Sequence, residues 1–202
     1  MKTKVVARNK DGFYLIDNKK FISVTTGLGI LNKPFMGAWY AKETAKAAWD
    51  FRAEAECLNQ EDYIKEVSSR GRQACAISLS EAQEVGTESH NMFDFIITNR
   101  VTSVDLTPLK EQSRVAVSNF YRFLDLNKFF NPDLKSETIL AESVVYSKKH
   151  KFAGTLDRIM FLQNTLYLID WKTSKQFSDE NELLLNAYYY ALTEMKESGI
   201  IN

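Results

Sequence analysis

Two aspartates and a lysine in the C-terminal part of the chain have the types and spacing needed for metal-dependent hydrolysis. They lie in two β-rich runs, Gly154-Thr155-Leu156-Asp157-Arg158-Ile159 and Leu168-Ile169-Asp170-Trp171-Lys172, with Gln163-Asn164 between them as a natural turn. With that turn Leu162 faces Thr165, and antiparallel register sets Asp157 opposite Asp170, with Cβ atoms about 4.5–5.5 Å apart. Like charges opposed on neighbouring strands destabilise a sheet, and Leu156, Ile159, Leu168 and Ile169 around them imply partial burial. A cation between the carboxylates removes the conflict, and all-oxygen ligation suits Mg2+ or Mn2+ rather than zinc. Lys172 follows Asp170 by two residues, so on a strand it points to the same face roughly 7 Å along. Phosphodiester hydrolysis requires a hydroxide nucleophile and stabilisation of charge on the phosphoryl oxygens and leaving group, and a bound metal supplies both. A nearby ammonium orients the attacking water or helps to deprotonate it. The competing reading is a hairpin with two incidental surface aspartates and a snorkelling lysine.

The same two strings, the second extended through Thr173-Ser174-Lys175, resemble the active-site hairpin of RecB-like nucleases. These belong to the PD-(D/E)XK superfamily and include mitochondrial genome maintenance and phage exonucleases. The resemblance implies that Asp157 and Asp170 are metal ligands, with the Trp171 carbonyl available as another, and that Lys172 is the catalytic lysine. Its cofactor would be one or two Mg2+ or Mn2+ ions. Gly86-Thr87-Glu88-Ser89-His90 resembles the family's helix motif, which makes His90 a ligand; a histidine packed on an amphipathic helix is the alternative. Asp94, one turn further on, either orients the imidazole or faces solvent. Glu142, in Ala141-Glu142-Ser143-Val144-Val145-Tyr146, resembles the acidic residue on the strand before the Gly-x-x-Asp segment, which makes it a catalytic residue at or beside the metal; an exposed strand charge is the alternative. Ser23-Val24-Thr25 and Trp39 extend the resemblance over most of the chain.

The family usually carries Gln-x-x-x-Tyr on the helix after the catalytic lysine. Here Tyr188 aligns with the tyrosine and Leu184 stands at the glutamine position, while a shift by two pairs Asn186 with Tyr190. Tyr188, Asn186 and Lys175 are the expected substrate contacts. The chain also stops at Asn202, soon after this helix, where the family commonly continues into further strands.

The elements that must position these residues are legible as periodicities. Phe13–Ile16 and Phe21–Val24 read as short strands bounded by Lys10-Asp11-Gly12 and Asp17-Asn18-Lys19-Lys20. Helical patterns cover Pro34 to about Cys57, Glu61–Ser78, Ser80–Ile97 and Leu109–Leu126, with Ser80 and Gln83 forming a capping box. From Thr138 the period switches to two, giving strands at Thr138–Ser147, Phe152–Leu162 and Thr165–Thr173. A last helix covers Asp179–Glu197 and ends at Gly199. The expectation is an α/β fold in a single domain over 1–202: N-terminal strands (1–36), a mainly helical stretch (37–130), then catalytic strands and a final helix (137–197). The resemblance adds a restriction-endonuclease-like core, with a central mixed sheet flanked by helices.

Composition narrows the function classes. The 202 residues carry a formal net charge of zero, which argues against binding by broad electrostatic attraction and makes any nucleic-acid contact local. The N-terminal stretch is nevertheless basic (Lys2, Lys4, Arg8, Lys10, Lys19, Lys20 and Lys33) and 43–94 leans acidic. Cys57 and Cys75 are the only cysteines, too few for an iron–sulfur cluster or a disulfide framework, and they suit a reducing compartment. The opening stretch Met1–Lys10 lacks an apolar core of the length a signal peptide needs, and the sequence holds no apolar run of about 18 residues. An intracellular, soluble protein without membrane partners follows as the expectation. The resulting expectation is a Mg2+- or Mn2+-dependent deoxyribonuclease whose partner is DNA, and most specifically an exonuclease acting on linear or single-stranded ends. Phe35, Trp39, Tyr40, Trp49 and Phe51 are available to stack bases on helices that roof a channel, with ordinary packing the simpler role for most of them. The alternatives are an endonuclease with the same centre and a silent DNA-binding or interaction protein that keeps the fold.

Overall fold

The computed structural model describes residues 5–6, 8–31, 34–131, 136–174 and 177–201, with the side chains of 5, 6, 34 and 35 outside the description. The chain divides into two compact units: Met1–Leu31 together with Ser89–Asn202, and Asn32–Glu88.

The first unit is built on a mixed, open α/β sheet. Its strands are β1 (Val5–Val6), β2 (Phe13–Ile16), β3 (Lys19–Ser23), β4 (Ser136–Ser147), β5 (Phe152–Leu162) and β6 (Thr165–Ile169). They pair in the order β1-β2-β3-β5-β4, with β6 also on β5. All pairs are antiparallel except β3 with β5. Both tight hairpins turn through two left-handed residues, Asp17 and Asn18 (φ 49° and 63°) and Gln163 and Asn164 (φ 49° and 65°). This conformation matches the twist of the flanking strands. β5 has the bounds its alternation predicts, and its register with β6 is the expected one, from Leu162 opposite Thr165 to Arg158 opposite Ile169. β6 leaves the ladder at Ile169 rather than running on to Thr173.

Helices cover the sheet through two apolar clusters. The helix α5 (Asp179–Glu197) buries Leu184, Tyr188, Ala191 and Met195 against Ala153, Leu156 and Ile159 of β5 and the β2–β3 hairpin. Met160, next to Ile159, faces the opposite way, and it and Leu162 serve the second cluster. There they meet Phe93, Ile96 and Ile97 of α3 (Gln60–Asn99) and Val117, Phe120 and Leu124 of α4 (Glu111–Leu126). A short helix, α1 (Val24–Leu28), starts where the alternation of Phe21–Val24 suggested strand: the Ser23 hydroxyl accepts the N–H of Thr26 and caps it. Gly199, at φ 65°, stands just past the end of α5 as expected.

The second unit pairs α2 (Pro34–Phe51) with the first part of α3. α2 stops at Phe51, short of Cys57. α3 is one helix of 40 residues, not the two predicted, and Ser80 lies inside it instead of capping a second helix. A Cβ on Gly71 would stand 2.7 Å from Thr44 Oγ1, so the absence of a side chain there lets the helices cross closely. Phe51 is buried, stacks on Tyr63 and carries the Arg70 guanidinium over its ring at 4.0 Å; Tyr40 and Trp49 are exposed. Among the described residues no helix is long and apolar enough to cross a membrane.

Candidate functional site

The pairing of β5 determines where the predicted residues meet. One edge of β5 carries β4 along its length. The other carries β3 at Phe152–Ala153 and β6 from Arg158 to Leu162. Asp157 therefore stands in the fork between β3 and β6, next to the point where the chain departs after Ile169. Its carboxylate takes over the role of the missing ladder partner, with Oδ2 accepting the N–H of Trp171 at 2.6 Å. The Trp171 ring anchors this departing segment edge-on against Phe93, Phe120 and Phe123, with centroids 6.0, 5.0 and 5.9 Å away.

Four predicted residues come together here. His90, on α3, places Nδ1 3.5 Å from the same Asp157 oxygen. Asp170 lies just past β6, and the Lys172 ammonium contacts its Oδ2. The side chains of Asp170 and Asp157 are 8% and 12% exposed, those of Lys172 and His90 29% and 28%. The cluster is thus a partly desolvated crevice of carboxylates with two nitrogen bases at its mouth.

Burial and charge shift its protonation equilibria. Burial pushes the Asp170 carboxyl above its ordinary value and Asp157 adds to the shift, while the Lys172 contact opposes it. Burial pulls the His90 imidazole down, but its bond to Asp157 and the charge of that carboxylate outweigh this, so it is held above its usual value. Glu142 completes the field. It lies opposite Asp157 in the β4–β5 ladder, between the pairs Ala141–Arg158 and Ser143–Leu156, with its backbone in the left-handed region at φ 44°. For a residue with a side chain this is strained by about 1–3 kcal/mol. The Glu142 side chain is exposed, yet local desolvation and the Asp157 charge push its carboxyl up as well.

Other predicted residues are placed elsewhere. Asp94 neither orients His90 nor simply faces solvent: it binds the guanidinium of Arg158. Arg158 is 1% exposed and also donates to Thr138 Oγ1 at 2.5 Å and Thr98 Oγ1 at 3.4 Å, while its Nε finds no partner among the described residues. Asp157 and Arg158, consecutive on β5, thus both reach α3, at His90 and one to two turns on at Asp94 and Thr98. The sequence reading missed Arg158; the signal available was the row His90, Asp94, Thr98 on one face of a helix.

Tyr188 is not placed to contact substrate. It is 3% exposed, and a Cβ on Gly154 would lie 2.3 Å from its ring, so Gly154 lets the ring press against β5 beneath the site. Burial drives its phenol strongly upward, with Asp170 and Tyr14 contributing. Leu184, at the glutamine position, is buried in the same apolar cluster, which explains a leucine there. Asn186 is exposed, and Tyr190 turns to the β4–β5 turn, where its hydroxyl lies 3.0 Å from His150 Nε2. Lys175 lies outside the described residues.

Among the described residues, no group of three or more His, Cys, Asp and Glu side chains stands arranged to hold a metal ion. The reason is visible at the two aspartates: the Lys172 ammonium takes up Asp170, while Trp171 and His90 engage Asp157. By type, however, the donor set fits a hard divalent cation. It combines two nearly buried carboxylates, an imidazole and a further carboxyl, and desolvation disfavours ionisation of Asp170 and Glu142.

Comparisons with protein-family models, curated proteins and solved structures gave no match. The geometry itself then has to carry the chemistry. A desolvated carboxylate pair next to a primary ammonium can bind a cation, hold a water and offset charge growing on a phosphoryl group.

Proposed function

We propose that this chain is a divalent-metal-dependent DNA nuclease of the PD-(D/E)XK type, with a restriction-endonuclease-like core. The observation that carries the reading is the meeting of Asp157, Asp170, Lys172 and His90 at the fork of β5. The resemblance of the hairpin to RecB-like nucleases supports it. Asp157, Asp170 and His90 would hold Mg2+ or Mn2+, with Glu142 adjoining. Bound there, the ion would supply an activated water and neutralise charge on the phosphoryl oxygens.

The chain's own residues do the rest. The Trp171 N–H fixes the orientation of Asp157. Lys172, in contact with Asp170, would offset the charge that builds on the phosphoryl group in the transition state. Burial of Asp170 excludes bulk water and strengthens each of these interactions.

The test is cleavage of end-labelled linear, circular and single-stranded DNA in Mg2+, Mn2+ or chelator. Metal-dependent cleavage is expected, with Asp170→Asn and Lys172→Ala each losing about 100-fold or more while remaining folded. Wild-type activity in either variant removes the assigned mechanism. The Asp170–Lys172 contact also favours a second reading, a silent DNA-binding protein in which the lysine has taken the cation's place; binding without cleavage across several metals would select it.

A further inference from the structure

The β4–β5 turn is the sequence Ser147-Lys148-Lys149-His150-Lys151, four basic residues in succession after the serine, all exposed. The parallel pairing of β3 with β5, Ile22 opposite Phe152, sets β3 beside this turn, bringing the exposed Lys19 and Lys20 to the same end of the sheet. Lys148 reaches Asp17 of the neighbouring hairpin at 3.6 Å, and Ile22 N–H donates to the Lys151 carbonyl at 3.0 Å. A chain with zero net charge thus concentrates five lysines and a histidine around two turns.

The turn is held rigid. Glu194, on α5, accepts the Ser147 hydroxyl at 2.5 Å and the N–H groups of Lys148 and Lys149 at 2.9 and 3.1 Å. Ser147 Oγ accepts the N–H of His150 at 3.0 Å, and its carbonyl accepts that of Lys151 at 2.9 Å. The carboxylate of Glu194 is thus committed to the backbone of the turn. Held so, the like charges repel one another, and an external polyanion relieves that repulsion. Tyr190, bonded to His150, and Tyr189 add exposed aromatic surface alongside.

We propose that this basic turn, with Lys19 and Lys20, is a phosphate-backbone binding site for a DNA strand, separate from the carboxylate centre. The choice of DNA rests on the nuclease reading. β5 runs from the turn to that centre, and the six steps from Lys151 to Asp157 span about 20 Å at strand rise, the axial length of roughly six nucleotides of one strand in B-form DNA. A strand gripped at the turn therefore reaches the fork of β5, and substrates much shorter than this engage only one of the two sites.

The experiment measures binding in chelator, where no cleavage is needed, using a fluorescein-labelled oligothymidylate of about 20 nucleotides and anisotropy over a salt series. Wild type is expected to bind under these conditions. Lys19→Ala/Lys149→Ala should bind roughly tenfold more weakly at low salt, with its log–log salt slope reduced by about 1.4, that is about 0.7 for each phosphate no longer neutralised. Lys19→Arg/Lys149→Arg should retain both affinity and slope, and unchanged melting temperatures identify folded variants. An unchanged slope in the double alanine variant overturns the site while leaving the nuclease reading intact. Lysine-dependent binding to phosphatidylserine vesicles with none to the oligonucleotide overturns it in favour of a membrane surface. Absence of cleavage chemistry alone, with the slope change preserved, removes the nuclease reading and keeps the site.

Discussion

Desolvation sets the terms at Asp170, whose carboxylate is 8% exposed and has Lys172 on one side and Asp157 on the other. A divalent ion that binds only the folded protein stabilises it by mass action, about 2.7 kcal/mol at a hundred times its dissociation constant. For a chain of this size that is an increase of about 5–10 °C in melting temperature. Added Mg2+ or Mn2+ is expected to produce such a rise in the wild type, and Asp157→Asn to remove most of it; equal shifts in both proteins would place the ion elsewhere. Register was legible at this scale as far as Arg158 opposite Ile169, because a two-residue turn fixes it; the direct opposition of Asp157 and Asp170, with Lys172 on the same strand, was not borne out, because β6 leaves the ladder at Ile169 and Asp157 accepts the Trp171 N–H instead. Arg158 was not legible. One residue on from Asp157, it should by alternation face away from the helix that His90 occupies, yet both reach α3 beside a strand whose ladder shifts at Thr138–Leu140 and turns left-handed at Glu142. No residue type at position 142 announces that distortion, since glutamate rarely adopts it.

The sharpest electrostatic dependence among the elements joins α5 to the β4–β5 turn. Burial raises the Glu194 carboxyl, but the hydrogen bonds from Ser147, Lys149 and Lys148 outweigh it and hold the group below its ordinary value of 4.5. A depressed carboxyl contributes stability that is present above the unfolded value and is lost as pH falls through the folded one. Melting temperature should therefore fall more steeply below pH 4.5 in the wild type than in Glu194→Gln, and parallel curves would show that the clamp contributes nothing. α3 gives a second test. As one continuous helix of 40 residues, it should lose about 3 kcal/mol or more on Glu81→Pro, measured by urea unfolding. A helix that began at a Ser80 cap would tolerate proline there with little loss. The sequence suggested the break because Ser80 and Gln83 have the types of a capping box. Propensity along the rest of the stretch is high enough for the helix to run through. β5, β6 as far as Ile169 and α5 were legible because their periodicities are strong and their turns carry left-handed residues; α1 was not, because Val24 continues the strand pattern while the Ser23 hydroxyl ends it.

At the scale of the whole molecule, a net charge of zero means that nucleic acid is attracted only where charge is locally concentrated, so affinity and cutting should depend on where a strand is first gripped. If the protein works from ends, as the RecB-like resemblance suggests, linear single-stranded DNA is degraded in Mg2+ or Mn2+ while a closed single-stranded circle of the same sequence survives far longer. Prompt nicking of the circle would make it an endonuclease. The parallel pairing of β3 with β5 has a consequence in time as well as in space. Ser23 and its partner Ala153 are separated by about 130 residues of chain, which at 5–20 residues per second take roughly 7–26 s to synthesise. Throughout that interval the β2–β3 hairpin has formed its local pairs but lacks its outer neighbour, and an unpaired strand edge invites addition of a strand from another chain. Lys19 and Lys20, exposed at the start of β3, are the kind of residue that discourages such pairing.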